Sequence, residues 1–319
     1  MACAADEWNK HFDVSGTPEL HISAGNAALE VRAGSGSGVD VELKTEGYSI
    51  GPSQVHIEPH QEGNRLDLRV EMPEQHFNWG NHWVRVEVRV PQNVNAFIKN
   101  DNGPVNLRDL HGAAHLNTGN GPIDIKAFDG SIDAQTGNGP VSLNGRLDAL
   151  QLRTGNGPID LTVNSGSKLT SNWHVETGNG PVDIKLPQDI RADVSVHKGN
   201  GPLSFHLPAE TRAIDDHDIH AKLNGGGPEL TIHTGHGPVS IGRSLARACA
   251  AAAHAIAQVS LPASSALTHN SGSDANTAVA VPRQFRRYIV FVCLRKRADG
   301  FRTDGNALPR DGNAGPDAA

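Results

Sequence analysis

Thr118-Gly119-Asn120-Gly121-Pro122-Ile123-Asp124-Ile125 returns as Thr136-Gly137-Asn138-Gly139-Pro140-Val141-Ser142-Leu143, and again as Thr154-Gly155-Asn156-Gly157-Pro158-Ile159-Asp160-Leu161. Each copy stands 18 residues after the last. The same Asn-Gly-Pro core occurs at Asn102, Asn179 and Asn200, with a variant at His236-Gly237-Pro238. The steps after Asn156 are 23 and 21, and the 36 residues from Asn200 to His236 make two steps of 18. Self-similarity at a fixed period marks a repeat architecture.

Working outward from the corner, apolar and polar residues alternate on both sides. Val105-Asn106-Leu107, Ile123-Asp124-Ile125 and Val182-Asp183-Ile184 follow the proline; Ile132/Ala134, Leu150/Leu152 and Trp173/Val175 precede the threonine. A period of two means short strands with one face buried. Two glycines permit unusual backbone at the corner, and proline fixes φ where the next strand begins. One such unit cannot bury its apolar face alone, so it stacks on its neighbours. Equal registers at a constant period predict in-register parallel stacking: a right-handed parallel β-solenoid, all-β. A meander of hairpins is the rival, since Asn-Gly also marks hairpin turns, but the following proline and strict period favour the stack.

In that stack Asn102, Asn120, Asn138, Asn156, Asn179 and Asn200 form a structural ladder of side-chain amides. Thr118, Thr136, Thr154 and Thr177 form a second column, broken at Lys198. Its hydroxyls are expected to satisfy backbone groups at the corner, with a flat ice-binding array as the alternative. Asn164–Lys168 lengthens one coil, and residues 208–228 replace an expected corner; both read as loops leaving the wall.

Upstream, residues 10–94 alternate less regularly and read as the first coils, covering one end. Residues 95–243 are the solenoid proper. Beyond it, Ser244 would cap an Ala-rich helix over residues 245–259, followed by a poorly ordered tail to 319. Residues 1–9 lack a basic and an apolar signal region, yet Ala2-Cys3-Ala4 has the small-x-small form of a signal-peptidase site. That start reads as the remnant of a signal peptide missing from this start, or as a chance Ala-rich sequence.

Composition agrees with a turn-rich β protein of 319 residues: 35 Gly, 19 Pro, and only 4 % aromatic residues. The net charge is −7, with +4 beyond residue 243 and −11 before it, which argues against nucleic-acid binding. Three widely spaced cysteines form neither a disulfide framework nor a zinc motif. No cofactor and no transmembrane segment are expected, since the apolar run Tyr288–Leu294 is too short to cross a bilayer.

The reiterated Thr-Gly-Asn-Gly-Pro-Ile-Asp-Ile block, the start Phe12-Asp13-Val14 … Leu20-His21-Ile22, and the lead-in Val84-Arg85-Val86-Glu87-Val88-Arg89-Val90-Pro91 resemble a bacterial adhesin family of β-strand repeats, related in style to the head-GIN-domain proteins. The resemblance covers about residues 10–243. It implies an exported or envelope-associated protein, extracellular or periplasmic, with no recorded catalytic residues.

The outward column Asp124, Ser142, Asp160, Asp183, Ser204 reads as a solvated face, with a weak cation or polymer strip as the alternative. His217 and His220 lack a third ligand, so no metal site is expected. No Ser/His/Asp set stands out. Trp79, His82 and Trp83 are the candidate ligand-binding residues, by stacking on a sugar or partner, unless their loop plugs the solenoid end. The expected function is a non-catalytic adhesin-like or scaffold protein of the cell envelope. Its expected partners are envelope or extracellular polysaccharide, or other envelope proteins. The alternatives are a carbohydrate-binding or polysaccharide-lyase-like β-helix, and a cytoplasmic structural repeat protein.

Overall fold

A computed structural model describes residues 5–73, 82–214 and 218–244. The chain divides into two units, Met1–Ile256 and Ala257–Ala319, and every described residue belongs to the first. The expected Ala-rich helix and tail, and the residues Trp79 and His217, lie outside the described residues.

Alternation in the sequence becomes 21 strands among the described residues, with no helix. The N-terminal strands are β1 (Ala5–Phe12), β2 (Glu19–Asn26), β3 (Ala28–Ala33), β4 (Val39–Glu46), β5 (His56–Glu62), β6 (Arg65–Glu71) and β7 (Trp83–Val90). The repeats supply β8 (Asn93–Asn102), β9 (Val105–Arg108), β10 (His111–Asn120), β11 (Ile123–Asn138), β12 (Val141–Asn156), β13 (Ile159–Val163), β14 (Trp173–Asn179) and β15 (Val182–Leu186). The last are β16 (Ala192–Asn200), β17 (Leu203–Phe205), β18 (Glu210–Ile214), β19 (Asp218–Leu223), β20 (Glu229–His236) and β21 (Val239–Arg243).

The corner splits these strands into two walls. The pre-corner wall runs β5, β6, β2, β8, β10, the second halves of β11 and β12, β14, β20, β16, β19, β18. The post-corner wall runs β1, β4, β7, β3, β9, the first halves of β11 and β12, β13, β15, β21, β17. Through the middle, pairing is parallel and in register at 18 residues, as in Thr118↔Thr136 and Ile123↔Val141. Inward residues of both walls, among them Ile125, Leu152, Val175 and Ile184, form one apolar core. At about 25 cal/mol per Å² of apolar surface, that burial is the main source of stability.

Local chemistry explains the corner. A Cβ on Gly137 would lie 2.6 Å from the carbonyl oxygen of Gly119 in the coil below, so only glycine lets the coils close to strand spacing. Gly121 N donates to Asn138 O and Ile123 N to Pro140 O, at 3.0 and 2.9 Å. The proline between them sits where the ladder needs no donor.

Two features correct the expected purely parallel, sequential solenoid. First, both ends are antiparallel: β5–β6, β4–β7 and β1–β4 at one end, β16–β19 and β18–β19 at the other. Exposed parallel edges invite pairing with other chains, and these strands cover much of them. Second, spatial order departs from chain order. The coil β2–β3 lies between β6–β7 and β8–β9, and the coil β20–β21 lies between β14–β15 and β16–β17.

Candidate functional site

Side chains that alternate outward from the pre-corner wall line up in rows across its strands. In one row His21, Phe97 and His115 are cross-strand neighbours on β2, β8 and β10. Their rings stack: His21 on Phe97 at 4.5 Å and 12°, Phe97 on His115 at 5.0 Å and 7°. Asp67 on β6 precedes the stack and Asp133 on β11 follows it. The next row carries Ser23, Lys99, Asn117 and Gln135.

These rows form an open trough of about 790 Å³, lined at one end by Glu58 and His60 of β5. A smaller recess of about 180 Å³ shares His115 and Asp133 with it and continues to Ser171 and Asn172, beside the lengthened coil. The trough therefore crosses the strands, along the stacking direction. The extra loop residues are tied to β12, through Lys168 N to Leu147 O at 3.1 Å and Ser167 Oγ accepting from Leu147 N at 2.9 Å.

Charges along the trough are partly matched. Arg65 forks onto Asp67 at 2.9 and 3.0 Å and holds that carboxyl below its usual range. Glu19 meets His21 Nε2 at 2.6 Å, and Asp133 lies 3.6 Å from His115 Nδ1. Farther along the wall, the hydrogen bond from His174 lowers the pKa of Glu176. Lys99 reaches the trough between hydroxyl and amide neighbours.

No protein-family model matches the chain, and no curated protein matches it. Solved structures do. A provisionally named cell adhesion protein of Clostridium sporogenes is 13% identical, with a TM-score of 0.38, over 76% of this chain and 100% of that one. A provisionally named adhesin of Bacteroides fragilis is 13% identical, with a TM-score of 0.44, over 74% and 97%. A provisionally named lipid-binding protein of Parabacteroides distasonis is 11% identical, with a TM-score of 0.30, over 75% and 97%. They lend no residue role to this chain.

The residues singled out from sequence fall elsewhere. Asn102, Asn120, Asn138, Asn156 and Asn179 run along the corner, each side-chain amide donating to the one below at 2.6–2.8 Å. The lowest acceptor is Asn26 of the inserted coil β2–β3. Asn200 is separated from this run, because His236 of β20 occupies the level between it and Asn179. The threonine column faces inward, which removes the ice-binding alternative: Thr118, Thr136 and Thr177 are each only 1% exposed. Trp83 is 40% exposed, but its indole donates to Glu46 and Arg85 lies 5.6 Å over its ring. His82 rests 4.9 Å from Tyr48. Both belong to the end of the chain's other wall, away from the trough.

The outward column on the post-corner wall is a charged lattice. Lys126 meets Asp124 at 2.5 Å, and Lys185 meets Asp183 at 2.8 Å and Asp160 at 3.6 Å. Nearer the N-terminal end, Glu42, Glu87 and Glu30 are cross-strand neighbours, flanked by the row Arg89, Arg32, Arg108. Burial works against the Glu87 carboxylate, yet Arg32 and Arg89 outweigh it and keep its pKa below the usual value. Stacked like charges are tolerated because a row of the opposite sign lies alongside.

One constellation was missed from sequence. Ser195 Oγ lies 3.2 Å from His197 Nε2, and His197 Nδ1 lies 2.5 Å from Asp218 Oδ1. The antiparallel pairing of β19 with β16 brings Asp218 across. The bonding order is that of nucleophile, base and acid. Ser195 is only 3% exposed, however, and also bonds His220 Nδ1 at 3.2 Å. Its strand is paired on both sides, which commits the N–H groups an oxyanion would need. The cluster keys the capping strands to the wall. Among the described residues no group of three or more His, Cys, Asp or Glu is placed to hold a metal ion, and no helix is long and apolar enough to cross a membrane.

Proposed function

We propose that this chain is a non-catalytic, adhesin-like protein of the bacterial envelope that holds an extended polysaccharide in the pre-corner trough. The observation that carries the reading is the trough itself. It crosses successive strands, with an aromatic–imidazole ridge along one row and hydroxyl, amine and amide groups along the next. Strands advance by about 4.8 Å, close to the advance of one sugar ring in an extended glycan, so successive sugars would meet successive coils. Many weak polar contacts then add along the polymer. The walls belong to a β-solenoid wound right-handed, the hand that parallel crossovers prefer. The envelope location goes with the resemblance of the repeat block to adhesins.

A glycan array, joined to an assay for new reducing or unsaturated ends, tests this reading. Binding of one or more polysaccharides without product is the expected outcome. Product that accumulates with time would make the protein an enzyme, and an array with no binding would leave only a scaffold role.

A further inference from the structure

Three imidazoles line the trough, and their placement gives the site a ligand class. His60 comes from β5, His21 from β2 and His115 from β10. The charged groups facing them are Glu58 from β5, Asp67 and Arg69 from β6, Lys99 from β8 and Asp133 from β11. At the rim stand Glu19 beside His21, Arg65 beside Asp67 and Glu19, Glu62 beside His60, His56 beside Glu58, and Glu71 beside Arg69. With neutral imidazoles, carboxylates outnumber fixed cations in the lining. With charged imidazoles, cations outnumber carboxylates. Including the rim leaves that reversal unchanged.

The ring stack lets the charge change without a change of shape. Phe97 presents one face to His21 and the other to His115, both nearly parallel to it. An imidazolium over a phenyl face is attracted to it, so the stacked arrangement suits a charged ring as well as a neutral one. Phe97 also separates the two charges, and each has its own carboxylate, Glu19 or Asp133. Histidine as a residue type changes charge between about pH 5 and 8, above the usual midpoints of carboxylates.

We propose that the trough captures acidic polysaccharide, carrying carboxylate or sulfate groups, in mildly acidic surroundings and releases it at neutral pH. The proposal rests on the polysaccharide reading above and adds the ligand's charge and the condition for binding. Lys99, between Ser23 and Asn117 in the second row, supplies an anion contact at either pH.

The test compares dextran sulfate with dextran, by biolayer interferometry at pH 5.5 and 7.5 and low salt, where surface electrostatics are least screened. Dextran sulfate should bind about tenfold more tightly at pH 5.5, with no such gain for dextran. The double variant His21→Gln/His115→Gln should lose most of the gain. His174→Gln/His233→Gln, two histidines of the same wall outside the trough, should keep it, which separates a local effect from the acidification of the whole surface. Lys99→Met should weaken dextran sulfate binding at both pH values; being exposed, it serves if the histidine variant does not fold. Sulfated polymer binding that does not change with pH, or a gain retained by the His21/His115 variant, overturns the proposal while leaving polysaccharide binding intact. Failure of every glycan at both pH values overturns the underlying reading as well.

Discussion

Thr136, Thr154 and Thr177 each donate to the carbonyl of the glycine before proline in the coil below: Gly121, Gly139 and Gly157, at 3.0–3.1 Å. Thr118 occupies the same column, but its hydroxyl has no partner among the described residues. The reason lies one level down, where Asn100 takes the threonine position. Its amide donates to Ala27 O at 2.9 Å and to Gly103 O at 3.1 Å, and the second bond uses the acceptor that Thr118 would need. A buried hydrogen bond contributes about 1 kcal/mol net, whereas an unsatisfied polar group costs stability. Thr154→Val should therefore lose about 1 kcal/mol in urea denaturation, and Thr118→Val should be neutral or stabilising. Equal losses at the two positions would contradict this account of the corner.

At the scale of elements, the coils were legible and their order was not. Alternation and the 18-residue period specify strands, inward faces and corners, because a one-residue slip would turn every apolar side chain outward. The same uniformity hides which coil neighbours which. Thr234-Gly235-His236-Gly237-Pro238 matches the register of any other coil, so nothing local says that β20 inserts beneath β16. The antiparallel caps were equally hidden, and with them Asp218 beside His197, 21 residues apart. The trough was invisible for a related reason: His60, His21, Phe97 and His115 come from four strands that chain order scatters. Insertion makes a firm prediction. Ile232 is fully buried between Val175 of β14 and Val196 of β16, so Ile232→Ala should cost about 3 kcal/mol, as deletion in a well-packed core does. Leu203→Ala, in the outermost strand β17, should cost clearly less. The reverse ranking in denaturant melts would mean that the coils stack in chain order.

For the molecule as a whole, the two walls share one core and differ on their outer faces. The post-corner wall carries carboxylates and cations already paired with each other, such as Arg32 with Glu87 and Lys185 with Asp183. The pre-corner wall carries the trough, with the amides of Asn117 and Gln135 in its lining. Under the proposed function, recognition belongs to the second surface alone. Affinity electrophoresis through gels containing a polysaccharide that binds the native protein tests this most directly. Asn117→Ala/Gln135→Ala, which removes two exposed amides from the trough, should migrate nearly as fast as in gel without polymer. Asp124→Asn/Asp160→Asn, on the other wall, should be retarded like the native protein. Full retardation of the trough variant, or loss of retardation in the other, would contradict the account.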